Sequence, residues 1–211
     1  MRCFDKPTKL LELEGSLDTL VVTASDLIAV RSNTRLSDVV LKINSTAITT
    51  AAGAVYPTDG ETLVAVAKGL TPYSFLLSTT SEILHVSLDG KSITKMAGFN
   101  PVLNPWSLST GVRPSIAMLR SMTDIETRPD KNGVIASIGD DYFVVGAVLD
   151  IPMNDSYDVT PLAGRVARSQ GGGDGALAMY ATLNYISHVV TLPRGDVALL
   201  DIVDNRVRIG E

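Results

Sequence analysis

The sequence predicts an all-β fold: a β-propeller of about four four-stranded blades, closed by pairing of the N-terminal strand with the C-terminal blade. Three observations carry this. A phrase recurs at spacings of tens of residues: Ile48-Thr49-Thr50-Ala51-Ala52-Gly53, then Ile93-Thr94-Lys95-Met96-Ala97-Gly98, then Val159-Thr160-Pro161-Leu162-Ala163-Gly164, with a weaker copy over Lys9–Gly15. Repetition of this kind marks one supersecondary unit used several times. Short aliphatic runs dominate the chain, separated by turn formers. The first run, Thr8 to Gly15, reads as a closing strand without its unit, and the last unit stops at Ile209-Gly210-Glu211 without a closing strand.

Composition supports a packed β domain. The 211 residues are 45% hydrophobic but only 5% aromatic, so the core must rest on Val, Leu, Ile and Ala. Eighteen basic against 23 acidic residues leave a net charge of −5 with no long run of one sign. That disfavours nucleic acid as a partner, because phosphate contacts need clustered Lys and Arg. The single cysteine, Cys3, cannot form an internal disulfide and is compatible with an intracellular compartment. No apolar run reaches the ~20 residues that span a bilayer, and Met1 to Pro7 lacks the apolar stretch of a secretory signal.

The strands follow in order. Leu20–Val22, Leu27–Val30, Val39–Ile43, Leu63–Val66, Phe75–Leu77, Ile83–Val86, Tyr142–Val145, Val197–Leu200 and Arg206–Ile209 are short and rich in β-branched residues. Asp59-Gly60, Asp89-Gly90, Asn132-Gly133 and Arg194-Gly195 mark turns between them. Only Ser115–Met122 and Gly175–Leu183 read as helical, each short enough for a single turn.

A second repeat sharpens the unit. Ala117, Leu119, Ile125, Pro129 and Asp140 each have a counterpart 64 residues later, in Ala181, Leu183, Val189, Pro193 and Asp204. The unit reads as Ala-x-Leu, a strand ending in Pro, a tight turn, a second strand, an Asp-led turn and a third strand. The recurring phrase closes it as a fourth. Four antiparallel strands per unit is the plan of a propeller blade. The closing glycines lie 38, 45 and 66 residues apart, so the third interval carries insertions, placed at Pro101–Pro114 and Ala147–Asp158. A single domain over 1–211 follows, with units near 16–53, 54–98, 99–164 and 165–211, the last completed by 8–15.

The last unit resembles the NHL repeat. The residues that carry the likeness are Gly171-Gly172-Gly173-Asp174-Gly175-Ala176, Ala181-Thr182-Leu183-Asn184-Tyr185, Gly195–Asp201 and Asp204-Asn205-Arg206-Val207-Arg208. The match runs over Gly171–Ile209 and is partial over Ala117–Val145, where Asp140-Asp141-Tyr142-Phe143 replaces the Asn-Arg turn. The resemblance implies an NHL-type propeller. Such rings more often have six blades, which leaves open a larger propeller or assembly. The family binds proteins or RNA, and related six-bladed rings include metal-dependent lyases and lactonases. None of their ligands or catalytic residues maps onto this chain.

Residues with chemistry have plain structural readings. Asp201 precedes a turn and suits acceptance of backbone N–H bonds, Asn205 suits a left-handed position, and Arg206 suits a contact with a neighbouring blade. His85 and His188 lack a second His or Cys at ligand spacing. Gly171–Gly173 is followed by Asp174, whose charge opposes phosphate. Asp140-Asp141 and Asp155 with Asp158 lack the alternating pattern of a calcium loop. No catalytic residue, metal ligand or cofactor is assigned.

Trp106, the single Trp, lies in the long insertion near Arg113, and Arg165 and Arg168 follow the third closing phrase. Trp and Arg concentrate binding energy at interfaces. These four are the candidate partner-binding residues. The function expected is therefore a non-enzymatic scaffold that binds another protein through loops at one face (54–61, 99–115 and 165–181). A metal-dependent hydrolase or lyase in the axial pocket, or a structural subunit of a larger assembly, are the alternatives.

Overall fold

The computed structural model describes residues 8–12, 19–23, 27–32, 35–43, 47–50, 52–57, 63–71, 74–87, 89–98, 111–117, 119, 121–140, 145–153, 157–164, 175, 177–192 and 194–210, with the backbone alone at 8–43, 140 and 145. They form four antiparallel sheets and two single 3-10 turns.

The first sheet contains β1 (Thr8–Glu12), β2 (Thr19–Thr23), β3 (Leu27–Ser32), β4 (Arg35–Ile43), β5 (Ala47–Thr50) and β6 (Val55–Pro57), ordered as in sequence. The second is β7 (Leu63–Lys68), β8 (Ser74–Thr79), β9 (Ile83–Ser87) and β10 (Ile93–Ala97). The third is β11 (Met122–Thr127), β12 (Gly133–Asp140), β13 (Val145–Pro152) and β14 (Thr160–Ala163). The fourth is β15 (Ile186–Thr191), β16 (Val197–Asp201) and β17 (Arg206–Gly210). Every sheet is a meander, so each strand pairs with its neighbour in sequence.

The strand interiors follow the residue types. β8 is buried along its length, with Phe75, Leu76 and Leu77 fully enclosed, because a second strand is covered on both faces. Outer strands look different. β10 exposes Thr94 and Lys95, and β14 carries Pro161, which can sit only where no ladder N–H is needed.

Two apolar layers join the sheets. Leu76 and Ile83 of the second sheet pack with Ile125, Val134, Ala136, Leu149 and Ile151 of the third. Ile135 and Val148, on the other face of the third sheet, pack with Ile186, Val189 and Leu199 of the fourth. At ~25 cal/mol per Å² of apolar surface, such layers dominate the stability of the stack. The first strands of successive sheets lie side by side. The Thr127 hydroxyl donates to the Lys68 carbonyl, the Thr123 hydroxyl to the Ile186 carbonyl, and the Val189 N–H to the Asp124 carboxylate at 3.0 Å. The first and second sheets meet through the Tyr56 hydroxyl, which donates to Glu82 Oε2 at 2.8 Å, and through the Thr50 hydroxyl on the Gly90 carbonyl.

Each recurring phrase contains a strand, β5, β10 or β14, and its glycine ends it. Gly53, Gly98 and Gly164 have φ of 93°, 100° and 84°. That left-handed region is open to glycine and strained for other residues, which explains the invariable last letter of the phrase.

Two expectations change. Closure by the N-terminal strand is not shown: β1 pairs antiparallel with β2, Thr8 opposite Val22 and Glu12 opposite Thr19. A short connection makes local pairing entropically cheaper than joining distant ends of the chain. Among the described residues β17 has β16 as its one strand neighbour. The insertion expected at Ala147–Asp158 is in part strand, because β13 runs to Pro152 in unbroken register with β12.

Candidate functional site: the segments between sheets

The segments that leave one sheet and enter the next share a design. The Gly98 N–H donates to the Pro114 carbonyl at 3.0 Å, and the Gly164 N–H donates to the Ala178 carbonyl at 3.1 Å. Pro114 and Ala178 each begin a 3-10 turn, Pro114–Ile116 and Ala178–Tyr180. The turns close when Ala117 N–H bonds Pro114 O and Ala181 N–H bonds Ala178 O. Proline at the first position presets φ and gives up no needed donor. Ala117 with Leu119, and Ala181 with Leu183, then bury beside the next first strand. The two stretches read as helical are therefore single turns in equivalent places.

The outer sides of these turns are apolar and exposed. Ile116 is 56% exposed, and Leu177, Met179 and Tyr180 are also exposed. Ile116 and Tyr180 are 64 residues apart, hence equivalent. The turn after β16 adds exposed Ile202 and Val203, and its Ile202 N–H donates to the Tyr185 carbonyl at 3.0 Å, where β15 begins. Of the sequence candidates, Arg113 is exposed and directly precedes Pro114. Trp106, Arg165 and Arg168 lie outside the described residues, as do Gly171–Gly173. The segment from Gly111 does more than present side chains. Gly111 N–H bonds Val159 O and Val159 N–H bonds Val112 O, both at 2.8 Å, so this stretch also clamps the third sheet.

The Asp-led turn is structural. Asp201 is fully buried and accepts the Asn184 N–H and the Asp204 N–H, each at 3.3 Å. Arg208 bonds Asp204 Oδ2 at 2.9 Å and brings its Nε 3.5 Å from Asp201 Oδ2. Asn205 is left-handed at φ 51°, as its residue type predicts. Arg206 is exposed.

Sequence reading missed the polar row on the first strands. Asp124 Oδ2 lies 3.3 Å from His188 Nδ1, two residues before Glu126. Burial, with Asp124 nearby, pushes the Glu126 carboxyl up, against the opposing pull of Lys68 and a Thr191 bond. The signal available was the 64-residue spacing, which aligns Asp124 with His188. His85 of β9 is held below its ordinary value by burial. Among the described residues no three His, Cys, Asp or Glu side chains gather as metal ligands.

A cavity of about 340 Å³ lies between the third and fourth sheets. Ile135, Val148, Leu162, Val197 and Leu199 line it with Arg128, which bonds Asp150 at 2.9 Å and Asp130 at 2.7 Å. Its guanidinium is engaged by two carboxylates of the protein itself.

No family model and no curated protein matches the chain. Among solved structures, an auxiliary nutrient binding protein from Bacteroides thetaiotaomicron VPI-5482 is similar, with a TM-score of 0.51 and 13% identity over 95% of this chain and 55% of that one. The Cps50 (Swd1) β-propeller domain of Myceliophteria thermophila matches with a TM-score of 0.35 and 9% identity, over 88% of this chain and 56% of that one. The chain thus spans about half the length of these structures. The first likeness and the four meanders together place the chain among all-β folds of the β-propeller type.

Proposed function

We propose that the chain is a non-enzymatic binding scaffold, an NHL-like propeller that holds another protein through the segments between its sheets. One observation carries the reading: equivalent turns of successive sheets expose Ile116, Leu177, Met179 and Tyr180, while the strands beneath them are buried and bonded. Large apolar side chains held on stiff backbone bind with little ordering cost, and clustered exposed apolar groups mark interaction sites. Arg113, and with it Trp106, Arg165 and Arg168, would extend this surface. The NHL likeness over Gly171–Ile209 agrees with protein binding, and the units at 16–53, 54–98, 99–164 and 165–211 are proposed as one domain.

The test is differential capture. The wild type and the triple variant Ile116→Ser, Leu177→Ser, Met179→Ser are used as baits, and bound proteins are compared by mass spectrometry. A set of proteins held by the wild type and lost from the variant, with the melting temperature kept, supports the reading. Identical capture by both removes it.

A further inference from the structure

Two turns frame the mouth of the cavity between the third and fourth sheets. One is closed by the Arg128 N–H on the Gly133 carbonyl, and the other, one residue shorter, by the Leu192 N–H on the Asp196 carbonyl. Pro129, Asp130 and Gly195 of these turns line the cavity and are exposed. The walls behind them are aliphatic, with Ile135, Val148 and Leu162 from the third sheet and Val197 and Leu199 from the fourth. Small residues keep the space open. Ala163 and Ala178 line it, and so does Gly210, where a Cβ would lie 3.6 Å from the Ala178 Cβ.

A volume of about 340 Å³ falls within the range of small-molecule sites, which begins at about 300 Å³. Water takes about 30 Å³ per molecule in the liquid, so the space equals roughly eleven waters. Aliphatic walls give those waters few partners and favour an apolar occupant. The charged lining groups form one cluster. Arg128 Nη1 donates to Asp150 Oδ1 at 3.1 Å and to Oδ2 at 2.9 Å, and Nη2 donates to Asp130 Oδ2 at 2.7 Å. Asp130 Oδ1 accepts the Asn132 N–H at 3.0 Å, and that bond holds its carboxyl below the ordinary value. One guanidinium therefore faces two carboxylates. A carboxylate offers about four acceptor positions, so both keep some free. Lys131, Arg194 and Asp196 also sit in the two turns; the two cations are exposed, where water and salt screen them.

We propose that this cavity binds a small primary amine, with its ammonium group at Asp150 and Asp130 and its apolar body between the two sheets. An ammonium carries donors alone, which suits carboxylates with acceptor positions to spare. A ligand carboxylate would instead meet two like charges at short range. The site is independent of protein binding at the exposed turns.

Amide NMR of the isotope-labelled full chain tests this with phenethylammonium and with hydrocinnamate, which keeps the ring and reverses the charge. The amine should shift the amides of Val148, Ala163 and Leu199 saturably and leave Leu77, in the second sheet, unmoved. Its dissociation constant should be about 1 mM, the scale for roughly nine non-hydrogen atoms. The anion should bind more weakly by about 10-fold or more. Asp150→Asn keeps the shape and should weaken the amine about 10-fold. Ala178→Leu fills the space and should remove binding, and the melting temperature reports whether each variant folds. Absence of shifts with the amine, equal binding of amine and anion, or undiminished binding by folded Asp150→Asn or Ala178→Leu would each overturn the proposal. Should a variant not fold, the comparison of amine with anion in the wild type decides.

Discussion

Gly98 and Pro114 are joined by a 3.0 Å hydrogen bond from the glycine N–H to the proline carbonyl, and Gly164 and Ala178 repeat it at 3.1 Å. The last residue of the recurring phrase therefore ends one sheet and fixes the chain that enters the next. A Cβ at Gly98 would lie 2.3 Å from the Ser81 carbonyl oxygen, and at Gly164 it would lie 2.3 Å from that of Gly146. At Gly53 nothing stands within 4 Å.

These three glycines predict a graded series. Gly53→Ala meets only the left-handed backbone penalty, about 1–2 kcal/mol. Gly98→Ala and Gly164→Ala must also displace a backbone carbonyl and should cost ~3 kcal/mol or more. Denaturant unfolding of the three variants checks the order, and equal losses would contradict it.

The buried Asp201–Arg208 pair predicts a second result. Asp201→Ala removes the buried carboxylate beside Arg208, leaving Asp204 as its carboxylate partner, and strips acceptors from the Asn184 and Asp204 amides. The loss should be about 3–5 kcal/mol, the usual cost of breaking a buried pair. A change near zero in chemical denaturation would show that the turn is held by other contacts.

Glu126 predicts a pH dependence. Its folded-state pKa is raised above the ordinary 4.5, chiefly by burial. The folded protein therefore holds this proton longer than the unfolded chain does. Its stabilising contribution is fully present below the ordinary value and is lost as pH rises through the folded value. Glu126→Gln should flatten that part of the stability profile and gain relative to wild type toward neutral pH. Parallel profiles for the two proteins would contradict the assignment.

The exposed turns predict a separation of stability from binding. Ile116→Ser, Leu177→Ser and Met179→Ser should each change stability by no more than about 0.5 kcal/mol, as surface substitutions do. Deleting 111–114 should instead destabilise the protein, because those residues bond Val159 and Gly98. Thermal unfolding distinguishes the two classes.

Much of this architecture was legible in the sequence, for local reasons. The closing glycines are read from a backbone conformation that one residue type supplies, and Asn205 likewise. The 64-residue spacing exposed the paired turns, because Ala117 and Ala181 must be small and apolar where they bury. Pairing between distant segments left less trace. Aliphatic periodicity marks Thr8–Glu12 as a strand but cannot say whether β2 or β17 is its partner. Asp150 reads as part of an insertion, yet it pairs with Ile135 in β13; Gly146 of the same strand is small because Leu183 backs onto it, where a Cβ would lie 2.9 Å from the Leu183 Cβ. The one-residue difference between the turns at Arg128–Gly133 and Leu192–Asp196 was hidden as well. Asp140 and Asp204 share the 64-residue offset, but Asp140 ends β12 while Asp204 lies in the turn past β16. Asp124 and Glu126 carried no motif; their setting comes from the stacking of β11 on β15.

Residue-resolved hydrogen exchange at Gly98, Gly146 and Gly164 tests the stacked-sheet design most directly. Their amides bond Pro114, Leu183 and Ala178, each in a segment that leads into the following sheet. The predicted result is protection as strong as at Ile135 and Leu149 in the buried strands, with all five opening together. Exchange of the three glycines at the rate of an open loop, while the strands stay protected, would show that the sheets are not locked to one another as described.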